Sequence, residues 1–299
     1  MGERLLQGIY VPLITPFAAS GEVALDAVER LVREYVAAGV AGIVALGTTG
    51  EASALDGSEK QAVIDTCARV CAETGVHLIV GAGTNNTTAT IAAVEALKGT
   101  PALVAALVVV PYYVRPSEEG IVAHLEAVAQ RSPVPLVVYN IPIRTGRGLG
   151  AASLLRLAAH PNITGMKQAV AAIDTDTLAV LAGAPHDFSV LMGDDNIIYP
   201  GVLMGAAGAI AASAHVCTER FVAMTDCGLA GKLDDGRAHA EALLPVVQSL
   251  FAEPNPAVFK AVLHAQGRIP TPDVRLPLLN ASTAARERAV AAVEAGGAH

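Results

Sequence analysis

A lysine at the end of an apolar strand is the residue in this sequence best placed for covalent chemistry. The chain holds five lysines, and only Lys167 ends an apolar run of strand type, residues 163–167. Burial disfavours the charged form of an amine, and the neutral amine is the nucleophile that Schiff-base formation requires. Lys167 is therefore the candidate nucleophile. A snorkelling or ion-paired lysine at a strand end is the structural alternative.

Hydroxyl-bearing side chains end the neighbouring strands. Tyr139 ends the preceding strand, so its phenol could exchange protons with the amine of Lys167. Thr49 and Tyr113 offer further hydroxyls through which a proton could pass. For each tyrosine, packing in the core with a solvated hydroxyl remains the alternative.

Other polar residues could bind charged groups. The turn Thr48-Thr49-Gly50 combines hydroxyls with accessible backbone N–H groups, which suits a small carboxylate. Arg144, in a loop rich in Pro and Gly, could hold a second carboxylate through two hydrogen bonds or form a surface ion pair. The adjacent Asp194 and Asp195 resemble half of a metal site, but no His or third acidic residue stands nearby, so we interpret them as helix N-caps.

The elements that must position these residues form eight strand-helix pairs. Short β-branched runs alternate with longer Ala- and Leu-rich stretches of helical period, and the strands are apolar throughout, as parallel strands buried on both faces are. Eight such units predict an α/β fold of the (β/α)8 TIM barrel type, with its site at the carboxyl ends of the strands. The predicted strands are Gly8–Ile14, Gly42–Leu46, His77–Gly81, Leu103–Val110, Pro135–Tyr139, Ile163–Lys167, Ser189–Met192 and Ala207–Ala212.

The strand signals stop after residue 231. We therefore assign residues 1–231 to the barrel and residues 232–299 to a small all-helical C-terminal domain. Three helices are predicted there, Lys232–Leu250, Pro256–Ala265 and Ser282–Ala295. The run Glu-Pro-Asn-Pro at 253–256 separates the first two, because proline lacks a donor and restricts the residue before it.

Composition excludes several classes of protein. The chain of 299 residues is 53% hydrophobic and 16% charged, which is unlike a disordered protein. Its net charge of −8 argues against nucleic acid and anionic membranes as partners, and no apolar run reaches the roughly 18 residues of a membrane span. The first residues lack a signal-peptide pattern, and the four cysteines do not form a disulfide scaffold, so we expect a cytoplasmic protein. Cys67 and Cys71, four residues apart on a predicted helix, could form a metal pair, but no His or Cys partner stands at ligand spacing, so we expect buried free thiols.

Taken together, these segments resemble the dihydrodipicolinate synthase / N-acetylneuraminate lyase family of pyruvate-dependent class I aldolases. The resemblance covers essentially the whole chain, and within the family it is strongest to the synthases. The residues that carry it are 8–17, Gly47-Thr48-Thr49-Gly50-Glu51, residues 111–116, Tyr139-Asn140-x-Pro142, Arg144-Thr145-Gly146, Lys167, residues 253–256 and residues 275–277.

The resemblance implies a role for each candidate. Lys167 would form a Schiff base with pyruvate, and Tyr139 would be the central proton carrier. Thr49 and Tyr113 would complete the proton relay, and Tyr113 would reach into the site of a neighbouring subunit. The implied assembly is a homotetramer built from tight dimers.

The remaining implied roles concern binding. Thr48 and Thr49 would hold the pyruvate carboxylate, while Ile210 and Gly193 would line the pyruvate site. Arg144 would bind the carboxylate of aspartate semialdehyde, the acceptor, and the product would be 4-hydroxy-tetrahydrodipicolinate, an intermediate of lysine and diaminopimelate biosynthesis. The resemblance implies no cofactor and no metal.

The sequence departs from the family pattern at two places around the expected pocket, residues 168–171 and residues 210–215. These departures keep open an aldolase, lyase or dehydratase that acts on another aldehyde or a 2-keto-3-deoxy sugar acid. A catalytically inactive keto-acid-binding regulator is a further alternative, against which the complete set Lys167, Tyr139, Thr49 and Tyr113 argues. Gly57, Lys60 and Ala89 stand where members inhibited by lysine often carry His and Glu. We therefore predict weak or absent inhibition by lysine.

Overall fold

Eight parallel strands form the centre of the molecule. The structure, a computed structural model, describes residues 4–296. The strands pair in chain order, and β8 pairs with β1 to close a barrel. The (β/α)8 barrel predicted from the alternating pattern is therefore confirmed. The strands are β1 Gly8–Pro12, β2 Gly42–Ala45, β3 His77–Gly81, β4 Leu103–Val109, β5 Leu136–Asn140, β6 Ile163–Gln168, β7 Ser189–Met192 and β8 Gly208–Ile210.

Helices follow each strand and cover the outside of the barrel. Local signals fix their ends: Asp56 and Glu59 form a reciprocal capping box at the start of α2, and Gly75, with φ of 78°, ends it. No helix in the range 4–296 is both long and apolar enough to cross a membrane. The barrel helices are α1 Leu25–Ala37, α2 Gly57–Thr74, α3 Thr87–Glu95, α4 Glu118–Arg131, α5 Pro142–Thr145, α6 Ala151–Ala158, α7 Thr175–Gly183, α8 Ile198–Leu203 and α9 Thr218–Leu229.

Apolar side chains fill two regions, one on each face of the strands. The larger region lies between the strands and the surrounding helices and includes Val11, Ile43 and Val138. The smaller fills the barrel interior and includes Tyr139, Leu191 and Ile210. Successive side chains of a strand point to opposite faces, so each strand contributes to both regions.

Two strands, β1 and β8, end two residues earlier than the sequence pattern predicts. The first was expected to reach Ile14, but the backbone N–H of Ile14 donates to Nε2 of His215 rather than to a neighbouring strand. The last was expected to reach Ala212, but β8 ends at Ile210 and a short 3-10 helix, Ser213–His215, follows. Hydrophobicity continues past both ends because these residues remain buried. Leu13 and Ala211 still donate to the neighbouring strands β2 and β1, but the regular pairing stops there.

Three further helices confirm the predicted helical C-terminal region: α10 Leu233–Leu250, α11 Ala257–Ala265 and α12 Thr283–Ala295. Each begins one residue later than predicted, because the predicted first residue is the N-cap. The division of the chain into domains at residues 231 and 232 stays a prediction, and its outermost residues, 1–3 and 297–299, lie outside the described range.

A buried ion pair joins α11 to the barrel. The Nζ atom of Lys260 donates to Oε1 of Glu51 and, at 2.8 Å, to the carbonyl of Asp273. The side chains of Lys260 and Glu51 are 0% and 1% exposed. Burial lowers the pKa of Lys260 to about 8, and the charge of Glu51 opposes that shift. Glu51 follows the Thr48–Gly50 turn directly, so this contact ties the C-terminal helices to one edge of the barrel mouth.

Candidate active site

Lys167 and Tyr139 lie side by side at the carboxyl ends of β6 and β5. The two residues are register partners in the sheet, and Nζ of Lys167 lies 4.6 Å from the centroid of the Tyr139 ring. Lys167 is 7% exposed and Tyr139 is 6% exposed. Tyr139 belongs to the interior cluster and the amine of Lys167 lies over its ring, so both side chains point into the barrel. An amine and a phenol are thus juxtaposed in a confined, open-ended space, as Schiff-base chemistry with proton transfer requires.

Gly193 leaves room for the lysine side chain. A Cβ atom at this position would lie 2.9 Å from Cε and 3.0 Å from Cγ of Lys167, and 2.8 Å from Cβ of Ala169. Real Cβ contacts are essentially never shorter than 3.0 Å. The backbone after β7 therefore approaches Lys167 as closely as a residue without a side chain allows. Ile210, the last residue of β8, closes the adjacent part of the interior and is fully buried.

The two threonines after β2 differ in their surroundings. Thr49 is 3% exposed, and its only side-chain hydrogen bond among the described residues is accepted from Nδ2 of Asn255, at 3.0 Å. Thr48 is exposed to the barrel mouth. The 3-10 turn Thr48–Gly50 is followed by Glu51, which has a positive φ of 52°. Neither threonine forms a side-chain hydrogen bond with Tyr139 or Tyr113 among the described residues, so a relay through Thr49 to the two tyrosines stays a prediction.

Arg144 lies in the short helix α5 after β5. Its side chain is exposed, and within residues 4–296 its guanidinium forms no ion pair. The loop around it is held by Thr145, whose hydroxyl donates to the carbonyl of Ile141 at 2.9 Å. The alternative of a surface ion pair is thus absent from the described part of the chain. Arg144 therefore presents a guanidinium without an ion-pair partner among the described residues, next to the strand that carries Tyr139.

Tyr113 lies away from the lysine of its own chain. It follows β4 in a loop where Tyr113 and Arg115 have positive φ values of 70° and 46°. Its side chain is 86% exposed, and the adjacent Val114 is 57% exposed. The structure of the single chain therefore does not bring Tyr113 to Lys167, and its predicted part in the relay depends on a second subunit.

The N-cap interpretation of Asp194 and Asp195 is wrong. Neither side chain caps the 3-10 helix that follows. Instead, Asp194 accepts from the N–H of Ala171 at 2.7 Å, and Asp195 accepts from the N–H of Ser213 at 2.6 Å. The two carboxylates thus fasten the loops after β6 and β8 to the loop after β7, contacts between distant segments that sequence spacing does not reveal.

Burial raises the pKa of both aspartates, and the N–H donors and the charge of Lys167 oppose the shift. The Oδ1 atom of Asp195 is buried without a partner among the described groups. Within residues 4–296 no group of three or more His, Cys, Asp and Glu side chains is arranged to hold a metal ion.

A polar network behind the barrel aligns the two strands that carry the amine and the phenol. Asn140 donates to Oε1 of Gln168, and Gln168 donates to Oγ1 of Thr177, each at 2.9 Å. Asn140 also accepts from the N–H of Leu149 at 3.1 Å. Because Gln168 follows Lys167 directly, its side chain points outward, away from the site. Gln168 therefore supports the strand end and does not line the pocket.

His215, at the second departure from the family pattern, also lies behind the pocket. It is fully buried, accepts from the N–H of Ile14 at 3.1 Å and contacts the carbonyl of Ala212 through Nδ1 at 2.7 Å. Burial lowers the pKa of His215 to about 3. The imidazole is therefore neutral and fixed in one tautomer, with Nδ1 as the donor.

Comparisons with known proteins agree with this geometry. The model of the dihydrodipicolinate synthetase family matches residues 5–296. The 4-hydroxy-tetrahydrodipicolinate synthase of Moorella thermoacetica is 39% identical over 292 residues, which cover 97% of this chain and 98% of that protein. The enzyme of the same name from Neisseria gonorrhoeae is 36% identical over 293 residues, or 98% of this chain and 99% of that one.

Solved structures give the same result. Dihydrodipicolinate synthase from Thermotoga maritima superposes with a TM-score of 0.94 at 31% identity, covering 99% of this chain and all of that one (100%). The chloride-inhibited enzyme from Acinetobacter baumannii, in complex with pyruvate, superposes with a TM-score of 0.93 at 33% identity, covering 98% of this chain and 99% of that one. The chain belongs to the dihydrodipicolinate synthetase family.

Proposed function

We propose that this protein is a Schiff-base-forming synthase that condenses pyruvate with L-aspartate 4-semialdehyde to 4-hydroxy-tetrahydrodipicolinate. The observation that carries the proposal is the buried Lys167 amine above the Tyr139 ring, at the open end of a barrel that also presents the unpaired Arg144. The relatives named for this reaction align over nearly the whole chain.

The reaction begins with attack of the Lys167 amine on the ketone carbon of pyruvate. The carbinolamine loses its hydroxyl as water, and the iminium that forms loses a methyl proton to become an enamine. We assign these proton transfers to Tyr139, because its phenol ring lies beside the reacting nitrogen, 4.6 Å from Nζ to the ring centroid. Thr48 and Thr49 would bind the pyruvate carboxylate through their hydroxyl and N–H donors.

The enamine carbon then attacks the aldehyde of the second substrate, whose carbonyl oxygen takes a proton and becomes the hydroxyl. Arg144 would hold the carboxylate of this substrate through two charge-assisted hydrogen bonds. The amino group of the substrate finally attacks the iminium carbon and displaces the amine of Lys167, which closes the ring and frees the enzyme. The sequence of steps releases one water and needs only the lysine as a covalent group.

A second subunit completes the proposed site. Tyr113 and Ile143 are each 86% exposed on neighbouring loops, so apolar surface is available for a partner beside the mouth. In the proposed tight dimer, Tyr113 extends the proton relay of the neighbouring subunit, and two dimers form the homotetramer implied by the resemblance.

The two threonines after β2 can be told apart by substitution. Thr48→Val and Thr49→Val variants, compared for kcat and for the KM of pyruvate, distinguish which threonine serves the relay.

A panel of aldehydes tests the identity of the second substrate, the acceptor that reacts with pyruvate. Pyruvate consumption is measured with L-aspartate 4-semialdehyde, with neutral aldehydes and with sugar-derived aldehydes, and cleavage of 2-keto-3-deoxy acids is measured in parallel. We expect aspartate semialdehyde to lead in kcat/KM by a hundredfold or more. Gln168 and His215 do not line the pocket, so these two departures from the family pattern give no reason for another acceptor. Faster turnover of a sugar-derived substrate would contradict this assignment.

A further inference from the structure

A residue of the C-terminal region reaches the barrel mouth and contacts one of the two threonines. Nδ2 of Asn255 donates to Oγ1 of Thr49 at 3.0 Å, across 206 residues of sequence. Thr49 is buried, and this is its only side-chain hydrogen bond among the described residues. Asn255 lies in the Glu-Pro-Asn-Pro run between α10 and α11.

The direction of this bond restricts what Thr49 can do. A threonine hydroxyl has one proton to donate and can accept through two lone pairs. With Asn255 occupying an acceptor position, the proton of Thr49 is left to donate to a group in the mouth. A carboxylate only accepts hydrogen bonds, so a hydroxyl held in this way suits the carboxylate of a keto acid.

The same stretch of chain fixes both partners. Lys260, in α11 and five residues after Asn255, is paired with Glu51, which lies two residues after Thr49. The N–H of Arg275 donates to the other oxygen of Glu51 at 2.8 Å. The turn that carries Thr49 is therefore anchored to α11, which directly follows the segment that carries Asn255, and also to Arg275 further along the chain. The first anchor holds the donor and the hydroxyl in register.

The amide of Asn255 makes no other use of its polar atoms. Its Oδ1 atom is buried and has no partner among the described protein groups. Burial of an unpartnered carbonyl is unfavourable, and an apolar residue would avoid it. A side chain that only filled space at this position would not need an amide. A side chain that donates a hydrogen bond to Thr49 does need one.

We propose that Asn255 is a positioning residue that holds the hydroxyl of Thr49 as a donor to the pyruvate carboxylate, so that the C-terminal helical region takes part in pyruvate binding. The proposal rests on the proposed function of the site. It assigns no contact between Asn255 and substrate, because Asn255 acts through Thr49.

The test is a kinetic comparison of Asn255→Asp with the wild-type enzyme. An aspartate has the same shape but accepts where the amide donates, so it draws the Thr49 proton away from the mouth. We expect the KM for pyruvate to rise tenfold or more, while kcat at saturating pyruvate changes less than threefold. Gln266→Glu, the same change at an exposed position of this region, is the matched control and should leave both constants unchanged.

A double variant assigns the effect to Thr49. Thr49→Val should raise the KM for pyruvate as well, and Asn255→Asp should add little to it in the Thr49→Val background, because the hydroxyl is already gone. KM does not depend on the fraction of folded enzyme, so partial misfolding of a variant does not obscure the comparison. Asn255→Ala, which removes the donor without adding a charge, should raise KM in the same direction.

The outcomes separate the two proposals. An unchanged KM for pyruvate in Asn255→Asp, or a lower kcat and melting temperature with KM unchanged, would make Asn255 purely structural and overturn the inference. Full additivity with Thr49→Val would overturn it too. If the wild-type enzyme does not turn over pyruvate with aspartate semialdehyde, the proposed function fails, and the inference fails with it.

Discussion

The glycine beside the lysine gives a sharp test of how closely the site is packed. In Gly193→Ala the new methyl group would lie 2.9 Å from Cε and 3.0 Å from Cγ of Lys167, and 2.8 Å from Cβ of Ala169. The end of a lysine side chain can swing aside, but its Cγ and the Ala169 methyl group cannot. The lysine must therefore shift within a confined space.

The expected effect is larger on catalysis than on stability. Overpacking of this kind costs typically about 1–3 kcal/mol of folding free energy. Misplacing a reacting group by about 1 Å costs on the order of a hundredfold in rate. We therefore expect kcat/KM for pyruvate to fall by roughly two orders of magnitude in a protein that remains folded.

The assay is steady-state turnover of pyruvate, accompanied by a thermal melt. Gly57→Ala is the matched control, because a Cβ at Gly57 would meet no atom within 4 Å. The control should retain wild-type activity. A Gly193→Ala enzyme with kcat/KM within threefold of the wild-type value would refute the argument that Gly193 makes room for Lys167.

Three further predictions follow from the site and the core. Tyr139→Phe should lower kcat by about 10²–10⁴-fold with the fold intact, because a positioned proton carrier contributes that much, and normal turnover would exclude Tyr139 from the relay. Arg144→Ala should lower kcat/KM for aspartate semialdehyde roughly 10- to 100-fold without changing the melting temperature, since the arginine is unpaired; no change would make it a surface residue. Because burial lowers the pKa of His215 to about 3, the unfolded chain binds a proton near pH 6.5 that the folded chain does not, so stability should decrease as the pH falls below 6.5. Between pH 6.5 and 5, this proton uptake should lower the free energy of unfolding by about 1.5–2 kcal/mol. Urea unfolding of His215→Asn should therefore show a shallower dependence of stability on pH than the wild-type protein. An equal dependence in the two proteins would contradict this prediction.

The barrel and its central pair could be predicted from local sequence. Alternation of short β-branched runs with helical stretches gives eight units, and the strand ends then follow from where each apolar run stops. Lys167 and Tyr139 are found in this way because each is the polar end of an apolar strand, and parallel strand ends meet at one mouth. Arg144 and the threonines follow from the same reasoning.

The contacts that hold the site come from distant parts of the chain and could not be predicted. Asn255 reaches Thr49 across 206 residues, and no local pattern shows this contact. Asp194 and Asp195 stand at the start of a short 3-10 helix, and this position suggested capping. Their carboxylate oxygens instead accept from N–H groups in the loops after β6 and β8. The one available signal for Asn255 was an asparagine between two prolines in an otherwise helical region.

Trapping of the Schiff base with borohydride tests the central claim most directly. The enzyme is reduced in the presence of pyruvate, and the modified lysine is located by peptide mass spectrometry. The account predicts a reduced pyruvyl group on Lys167 and its loss in Lys167→Ala, together with loss of turnover. Lys260, the other buried lysine of the described chain, is paired with Glu51 and should remain unmodified. A pyruvyl group on any other lysine, or none on Lys167, would contradict the account.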